Sequence, residues 1–358
     1  MMGTRQKVFI STVAVLVLLC AAIFFSVKAP GPANFSDTYH EARQYLFSDR
    51  FEDAEESFRR AGNLAENTFQ VWQPQFRIAT IPYQRGDALE SVTQLKKIAA
   101  ESESPRVTAR AIEYLGFMYS GLLEDDLYQK IFSDEPYAGL AVGQDRRTSL
   151  KNLYEYAASF YPNSYSLLQV AVWHSENLLV LDKKDTAEAD TLIATILKLI
   201  EDAEPDFART YRANPDNGTL EMSLYLKAIA LGNIQLSGNT PPQDPEAVFE
   251  EAILFDQESS GRKIEGLIKF HYAHFLAAAY GSERADEIRS LLGTIYNEGT
   301  NSGKVIALIS FYTKHGEAGT ADGYYTKHEY DALELLSAYD PVFRSFVEKH
   351  SYQQSDSQ

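Results

Sequence analysis

Two histidines one helical turn apart are the residues whose spacing first suggests chemistry. His271 and His274 lie at positions i and i+3 of an apolar helical pattern, and such a pair can offer two nitrogens to a metal ion. The glutamate arrangement of the HExxH zinc motif is missing, and the local spacing indicates no third ligand. Packing or contact with a partner is the favoured interpretation, and we predict neither a metal site nor a cofactor.

Other polar residues also fail to form a recognisable catalytic or metal-binding set. Acidic residues at 124–126 and 134–135 could attract a cation, but their spacing is not that of a calcium loop. His174 and Glu176 are two positions apart, so they do not face each other on a helix. The chain has no GxSxG, no P-loop lysine and no GxGxxG motif. We therefore predict that the protein is not an enzyme.

Charge is divided unevenly along the chain. The first 28 residues hold three of the 33 Lys and Arg residues and no acid, so the remainder carries 30 cations against 50 acids and a formal charge of −20. A domain of this charge repels phosphate backbones, which argues against a nucleic acid partner and favours a partner with basic character. The single cysteine, Cys20, lies in the N-terminal segment, so the rest of the chain has no disulfide or thiol nucleophile.

The N-terminal segment predicts a membrane anchor. Residues 8–27 contain no charge, and 20 helical residues span the roughly 30 Å hydrocarbon core of a bilayer. Arg5 and Lys7 precede this run, so residues 1–7 are expected in the cytoplasm. The prediction is an uncleaved single-pass protein whose main domain lies in the periplasm or outside the cell, after a linker at residues 28–35. A cleaved signal peptide remains the alternative, with Val27 and Ala29 as the cleavage pair.

Residues 38–66 carry the clearest structural pattern in the chain. Small and aromatic residues recur there at helical spacing: Ala42, Tyr45, Phe51, Ala54, Phe58 and Ala61. Ala54, Phe58 and Ala61 fall at i, i+4 and i+7 and therefore share one helix face. Residues 48–50 separate two helices. Small residues permit close approach of the helices and aromatic rings fill the space between them, so this segment predicts a helical hairpin.

Weaker copies of the helix pair follow along the chain. The second covers residues 72–105, where Pro74 and Pro82 predict a bend or a late start of the first helix. The third joins its two helices through residues 122–143, which we interpret as an insertion. Further pairs are predicted over residues 164–181 and 186–203, 220–235 and 245–255, 264–280 and 284–296, and 304–313 and 329–338, followed by a last helix over residues 342–349.

This pattern resembles a tetratricopeptide repeat of about 34 residues. The resemblance implies an all-α domain over residues 36–350, built as a right-handed α-solenoid of about seven helical hairpins behind one transmembrane helix. Residues 351–358 are polar and are expected to form a disordered tail. A plain helical bundle without a true repeat is the alternative fold.

The implied architecture suggests a scaffold or adaptor, because stacked hairpins form an extended surface that binds a protein or peptide partner. The alternative is an envelope protein that binds a glycan or another small ligand. Positions beside the small residues of first helices should face the inner groove of such a stack. This register predicts four partner contacts: Arg43, Phe117, His271 and His274.

Overall fold

The protein is built from α-helices, as the sequence predicted. A computed structural model describes residues 34–122, 125–143, 145–181, 185–213, 219–258, 264–295, 334–341 and 343–344. Of these residues 83% are helical, and none of them lies in a strand. The predicted membrane segment at residues 8–27, the helix expected at 304–313 and the tail from residue 351 lie outside the described residues. Among the helices that are described, none combines the length and apolar character needed to cross a bilayer.

Thirteen α-helices are found in the described part of the chain. In chain order they are α1 (Phe35–Phe47), α2 (Phe51–Asn63), α3 (Thr68–Gln84), α4 (Ala88–Glu101), α5 (Pro105–Leu122), α6 (Asp125–Ile131), α7 (Arg146–Phe160), α8 (Ser164–Val180), α9 (Thr186–Ala213), α10 (Thr219–Leu236), α11 (Pro245–Glu258), α12 (Glu265–Tyr280) and α13 (Ala285–Ile295). The chain divides into two compact units at residues 82 and 83, close to the end of α3.

The first unit contains the predicted helical hairpin. Helices α1 and α2 pack against each other, and the turn between them includes Asp49 at a positive φ of 55°. The Asn34 side chain caps α1 by accepting a hydrogen bond of 2.9 Å from the amide of Asp37. Ala54 and Phe58 are completely buried in the shared core, where the rings of Tyr39 and Phe58 lie 5.3 Å apart. The hairpin and its break at residues 48–50 are confirmed.

Helix α3 differs from its predicted form. It begins at Thr68, six residues before Pro74, and continues through both Pro74 and Pro82 to Gln84. The expected late start is therefore wrong. A proline inside a helix removes one backbone donor, yet Pro74 is buried in this helix. The apolar surface that α3 buries, which includes Phe76 and Ile81, outweighs the lost hydrogen bonds.

In the second unit each helix packs mainly on helices one or two positions away in the chain. Helix α8 contacts α9 and α10, α10 contacts α11 and α12, and α12 contacts α13. Three consecutive helix pairs are thus formed, α8 with α9, α10 with α11, and α12 with α13. Within this series the first helices of neighbouring pairs also touch, α8 on α10 and α10 on α12.

The segment interpreted as an insertion is packed into the second unit. It contains α6 and a short 3₁₀ turn at Ala138–Leu140, and α6 contacts α4 and α5. Leu127 and Ile131 on α6 are completely buried. The hydroxyl groups of Tyr128 and Ser149 are 2.9 Å apart, a hydrogen bond that ties α6 to α7. These contacts make residues 125–140 part of the core rather than a free surface loop.

Helix α9 is longer than the sequence indicated. Its predicted end was residue 203, but the helix continues through Pro205 to Ala213. Pro205 has no amide hydrogen to donate to the carbonyl of Glu201. Both residues are exposed, so water can bind that carbonyl and the helix continues at small cost.

Helices α5 and α7 approach most closely at Gly116. A Cβ atom built on Gly116 would lie 2.8 Å from Cζ of Tyr154. The Tyr154 side chain is buried and packs edge-on against Tyr165, with ring centroids 5.9 Å apart, so it has little room to move. Glycine at this position therefore serves the close approach of two helices.

We expect Gly116→Ala to lower the free energy of unfolding by about 1–3 kcal/mol, because the added methyl group overpacks the contact with Tyr154. Alanine in place of an uncrowded helical glycine stabilises by roughly 0.5–1 kcal/mol instead. Gly293→Ala in α13 is the matched control, since its added Cβ meets nothing within 4 Å. Urea unfolding of both variants measures the difference. Equal effects on stability would contradict the close contact, and Tyr154→Leu should relieve most of the Gly116→Ala penalty.

Candidate binding cleft

A polar cleft lies where α5, the start of α8 and the second half of α9 meet. Its empty volume is about 320 Å³, which includes the opening to solvent. Nine residues line it: Arg106, Arg110, Glu113, Tyr161, Asn163, Ser164, Tyr165, Asp206 and Thr210. All belong to the second unit, and these residues are called the cleft below.

Helix α5 contributes three charged side chains. Arg106, Arg110 and Glu113 occupy positions i, i+4 and i+7, so they share one helix face. All three are partly buried. The opposite side of α5 is apolar, and Val107 and Ile112 on it are almost completely buried. Burial of this apolar side fixes the orientation of α5 and holds the charged face towards α8 and α9.

The start of α8 forms the floor of the cleft. Asn163 caps the helix, because its side-chain oxygen accepts a 2.8 Å hydrogen bond from the amide of Ser166. The Asp206 carboxylate, on α9, accepts a 2.9 Å hydrogen bond from the amide of Ser164. Two of the four amides that a helix start leaves without helical partners are thus satisfied, one locally and one from a distant helix.

The mouth of the cleft is cationic. The guanidinium carbons of Arg106 and Arg209 lie 5.7 Å and 5.2 Å from the centre of the Tyr161 ring, within the range of cation–π attraction. Arg209 also forms a 2.7 Å ion pair with Asp206, and 53% of its side chain is exposed. Three arginines, Arg106, Arg110 and Arg209, therefore lie in or beside the cleft.

Glu113 is the one lining carboxyl with a strongly displaced acidity. Burial raises the pKa of Glu113 from 4.5 to about 7, and the nearby Arg110 and a 3.2 Å hydrogen bond from the Ser166 hydroxyl offset this only in part. The carboxyl is therefore close to half-protonated near neutral pH. The cleft consequently contains one fully charged acid, Asp206, against its arginines.

The structure places the four predicted partner contacts away from the cleft. Arg43 lies in the first unit, with its guanidinium carbon 5.4 Å from the ring centre of Phe47, whose exposed fraction is 61%. Phe117 lies on α5 and packs against Tyr114 at 5.3 Å. His271 and His274 share α12, and the His271 ring is 5.3 Å from that of Tyr225. Helices α5 and α12 are not principal packing partners in the described part of the chain.

The histidine pair does not gather further ligands among the described residues. Over those residues, no group of three or more His, Cys, Asp or Glu side chains is arranged to hold a metal ion. The two tryptophans lie in separate units, Trp72 on α3 and Trp173 on α8. Tyr161 and Tyr165 are the aromatic residues of the cleft, and both also have packing contacts within the protein.

None of the cleft residues was among the predicted site residues. The spacing of Arg106, Arg110 and Glu113 was a local signal that could have marked one polar face of α5. Asp206 offered no such signal, because it lies beyond the predicted end of α9 and meets Ser164 only through tertiary packing.

The chain matches no protein-family model, no curated protein and no solved structure. The proposals that follow use its own residues and contacts.

Proposed function

We propose that the protein is a membrane-anchored scaffold or adaptor whose helical domain binds a protein or peptide partner outside the cytoplasm. The observation that carries this proposal is the series of helix pairs in the second unit. Helices α8, α10 and α12 contact one another in order, and each packs on the helix that follows it. This arrangement supports a right-handed, tetratricopeptide-like α-solenoid and disfavours a plain bundle, in which distant helices also pack together.

Stacked helical pairs suit binding rather than catalysis. Each pair buries its apolar side against its neighbours, so the remaining side chains form one continuous surface. A surface of this kind binds an extended segment of another protein through many modest contacts. We therefore propose no catalytic role and no cofactor for the described helices.

Charge adds a preference for the partner. The region after residue 28 has the formal charge of −20 noted above, and long-range attraction favours a segment with basic character. Attraction between exposed charges is screened over about 8 Å at physiological salt. Binding of the partner should therefore weaken as the salt concentration rises.

Localisation follows from the first residues of the chain. The uncharged run at residues 8–27 and its flanking cations support an anchor with the helical domain in the periplasm or on the cell exterior. An anchored surface keeps its partner close to the membrane without a second attachment.

Crosslinking in intact spheroplasts tests the proposal. A membrane-impermeant crosslinker should join the wild-type protein to a discrete partner, and the yield should fall with added salt. Failure of the wild-type protein to capture any partner would contradict both the scaffold role and the topology, because a cytoplasmic domain is inaccessible to the reagent.

The predicted contacts are tested by changing Arg43, Phe117, His271 and His274 together to alanine. Capture should fall at least about tenfold if the four side chains together supply one or more kcal/mol of binding energy. A control variant changes Arg59, Phe160 and His40 to alanine, residues of the same types that are exposed. Circular dichroism must show both variants folded. Unchanged capture by the fourfold variant would remove these residues from the interface and leave the scaffold role to another surface.

A further inference from the structure

The arginines of the cleft stand out against the charge of the chain. Arg106 and Arg110 line the cleft, and Arg209 lies at its mouth over the ring of Tyr161. The chain as a whole has 50 acids and 33 Lys and Arg residues, so three arginines at one cleft reverse the prevailing sign. Such a local reversal attracts a negatively charged group.

The acids of the cleft do not cancel this positive charge. Asp206 is buried and accepts hydrogen bonds from the Ser164 amide and from Arg209. Glu113 accepts a hydrogen bond from Ser166 and is close to half-protonated near neutral pH. With three arginines, one ionised aspartate and one partly neutral glutamate, the cleft and its mouth keep a net positive charge.

We propose that the cleft binds a carboxylate carried by an otherwise basic peptide, an inference that rests on the proposed role in partner binding. The geometry fits a planar acid, because each arginine presents five N–H donors in a fixed fork that matches a carboxylate. An arginine can therefore keep a contact within the protein and still donate to a ligand. The cleft volume, at the lower end of the range for small-molecule pockets, suits one side chain rather than a large ligand.

The two charge patterns give the partner a specific composition. The acidic surface repels a segment rich in acids, whereas the cleft repels a basic side chain. A basic segment that carries a single carboxylate satisfies both. The carboxylate then sets the register of the segment, since only that position can enter the cleft.

A pair of capped peptides tests this inference directly. The first is acetyl-Lys-Lys-Glu-Lys-Lys-amide, and the second has glutamine in place of glutamate, which keeps the shape and removes the charge. Fluorescence anisotropy of the labelled peptides is followed as full-length protein in a mild non-ionic detergent is added at near-neutral pH. We expect the glutamate peptide to bind at least about tenfold more tightly, as one charge-assisted hydrogen-bonded pair predicts.

A third peptide distinguishes the two sources of a carboxylate. It has the glutamine sequence with a free C-terminus in place of the amide. Tighter binding of the glutamate peptide alone identifies a side-chain carboxylate as the ligand. Tighter binding of the free-acid peptide as well extends the assignment to a chain terminus, and both results support a carboxylate site.

Arginine variants locate the site. Arg110→Gln and Arg209→Gln should each reduce the preference for the glutamate peptide to less than about threefold, whereas Arg289→Gln should leave it unchanged. Arg289 lies on α13 in the same unit, and its exposed side chain pairs with Asp286, so this control removes one cation outside the cleft. If Arg110→Gln fails to fold, Arg209→Gln decides, because more than half of its side chain is exposed.

Equal binding of the two capped peptides to the wild-type protein would overturn the inference. A preference that survives in folded Arg110→Gln and Arg209→Gln would also overturn it. Loss of peptide discrimination while crosslinking still captures a partner would reject the carboxylate site alone. Discrimination that depends on the arginines, without any captured partner, would reject the scaffold role and leave the cleft assignment in place.

Discussion

Ala54→Trp is expected to lower the free energy of unfolding by about 3 kcal/mol or more, at the upper end of the usual penalty for overpacking. Ala54 is completely buried between α1 and α2, in a cluster with Ala42, Phe58 and Ala61 that have no exposed surface either. An indole at this position cannot point to solvent without rotating the helix. It must push α1 and α2 apart, and the contact between Tyr39 and Phe58 is lost with the separation.

The matched control for Ala54→Trp is Glu56→Trp. Glu56 lies two positions further along α2 and is exposed, so the same indole enters water instead of the core. Far-ultraviolet circular dichroism during urea unfolding reports both variants. Similar stability of the two variants would show that α1 and α2 do not pack through Ala54.

Glu113→Gln is expected to make the protein relatively more stable as the pH rises. In the folded protein the pKa of Glu113 is about 7, and in the unfolded chain it returns towards 4.5. The folded state therefore binds this proton more tightly than the unfolded state. Its stabilising effect is complete below about pH 4.5 and is lost as the pH rises through 7, a change on the order of 3 kcal/mol.

Glutamine keeps an oxygen that accepts the Ser166 hydrogen bond and has no proton to lose. The difference in unfolding free energy, variant minus wild type, should therefore grow between about pH 4.5 and pH 8. Subtraction removes the effect of the many other acids, which both proteins share. Glu103→Gln is the control, because Glu103 is exposed. Parallel pH profiles of Glu113→Gln and the wild type would mean that Glu113 titrates like an ordinary surface acid.

The first hairpin was predictable because its information is local. Ala54, Phe58 and Ala61 share a face at helical spacing, and the turn at residues 48–50 interrupts the apolar pattern. The same reasoning gave the bounds of α8, α10 and α12 to within a few residues. Spacing of apolar residues over three or four turns is sufficient to define an amphipathic helix.

Proline and insertion signals were less informative. Pro74 and Pro205 were taken as limits of helices, yet α3 and α9 continue through them because burial or solvent contact compensates for the missing donor. Residues 122–143 lengthen the connection between α5 and α7, which suggested an insertion. Whether such a segment packs on the core depends on distant residues such as Ser149, which its own sequence does not reveal.

The cleft could not be predicted from spacing alone. Its residues come from positions 106–113, 161–165 and 206–210, and only the first of these sets has a regular spacing. The displaced acidity of Glu113 depends on burial by helices far away in the chain. A composition that is acidic overall also conceals a small group of arginines, because net charge averages over the surface.

The hydrogen bond from the Ser164 amide to Asp206 has a consequence for the order in which the domain assembles. The two residues are 42 positions apart, so a chain made from its N-terminus exposes the start of α8 well before Asp206 leaves the ribosome. Until then the local cap from Asn163 satisfies one amide of the first turn, and water binds the Ser164 amide. The nascent α8 gains its second cap only when the half of α9 beyond Pro205 has been synthesised. Release of a truncated chain at residue 203 would leave that turn prone to fraying.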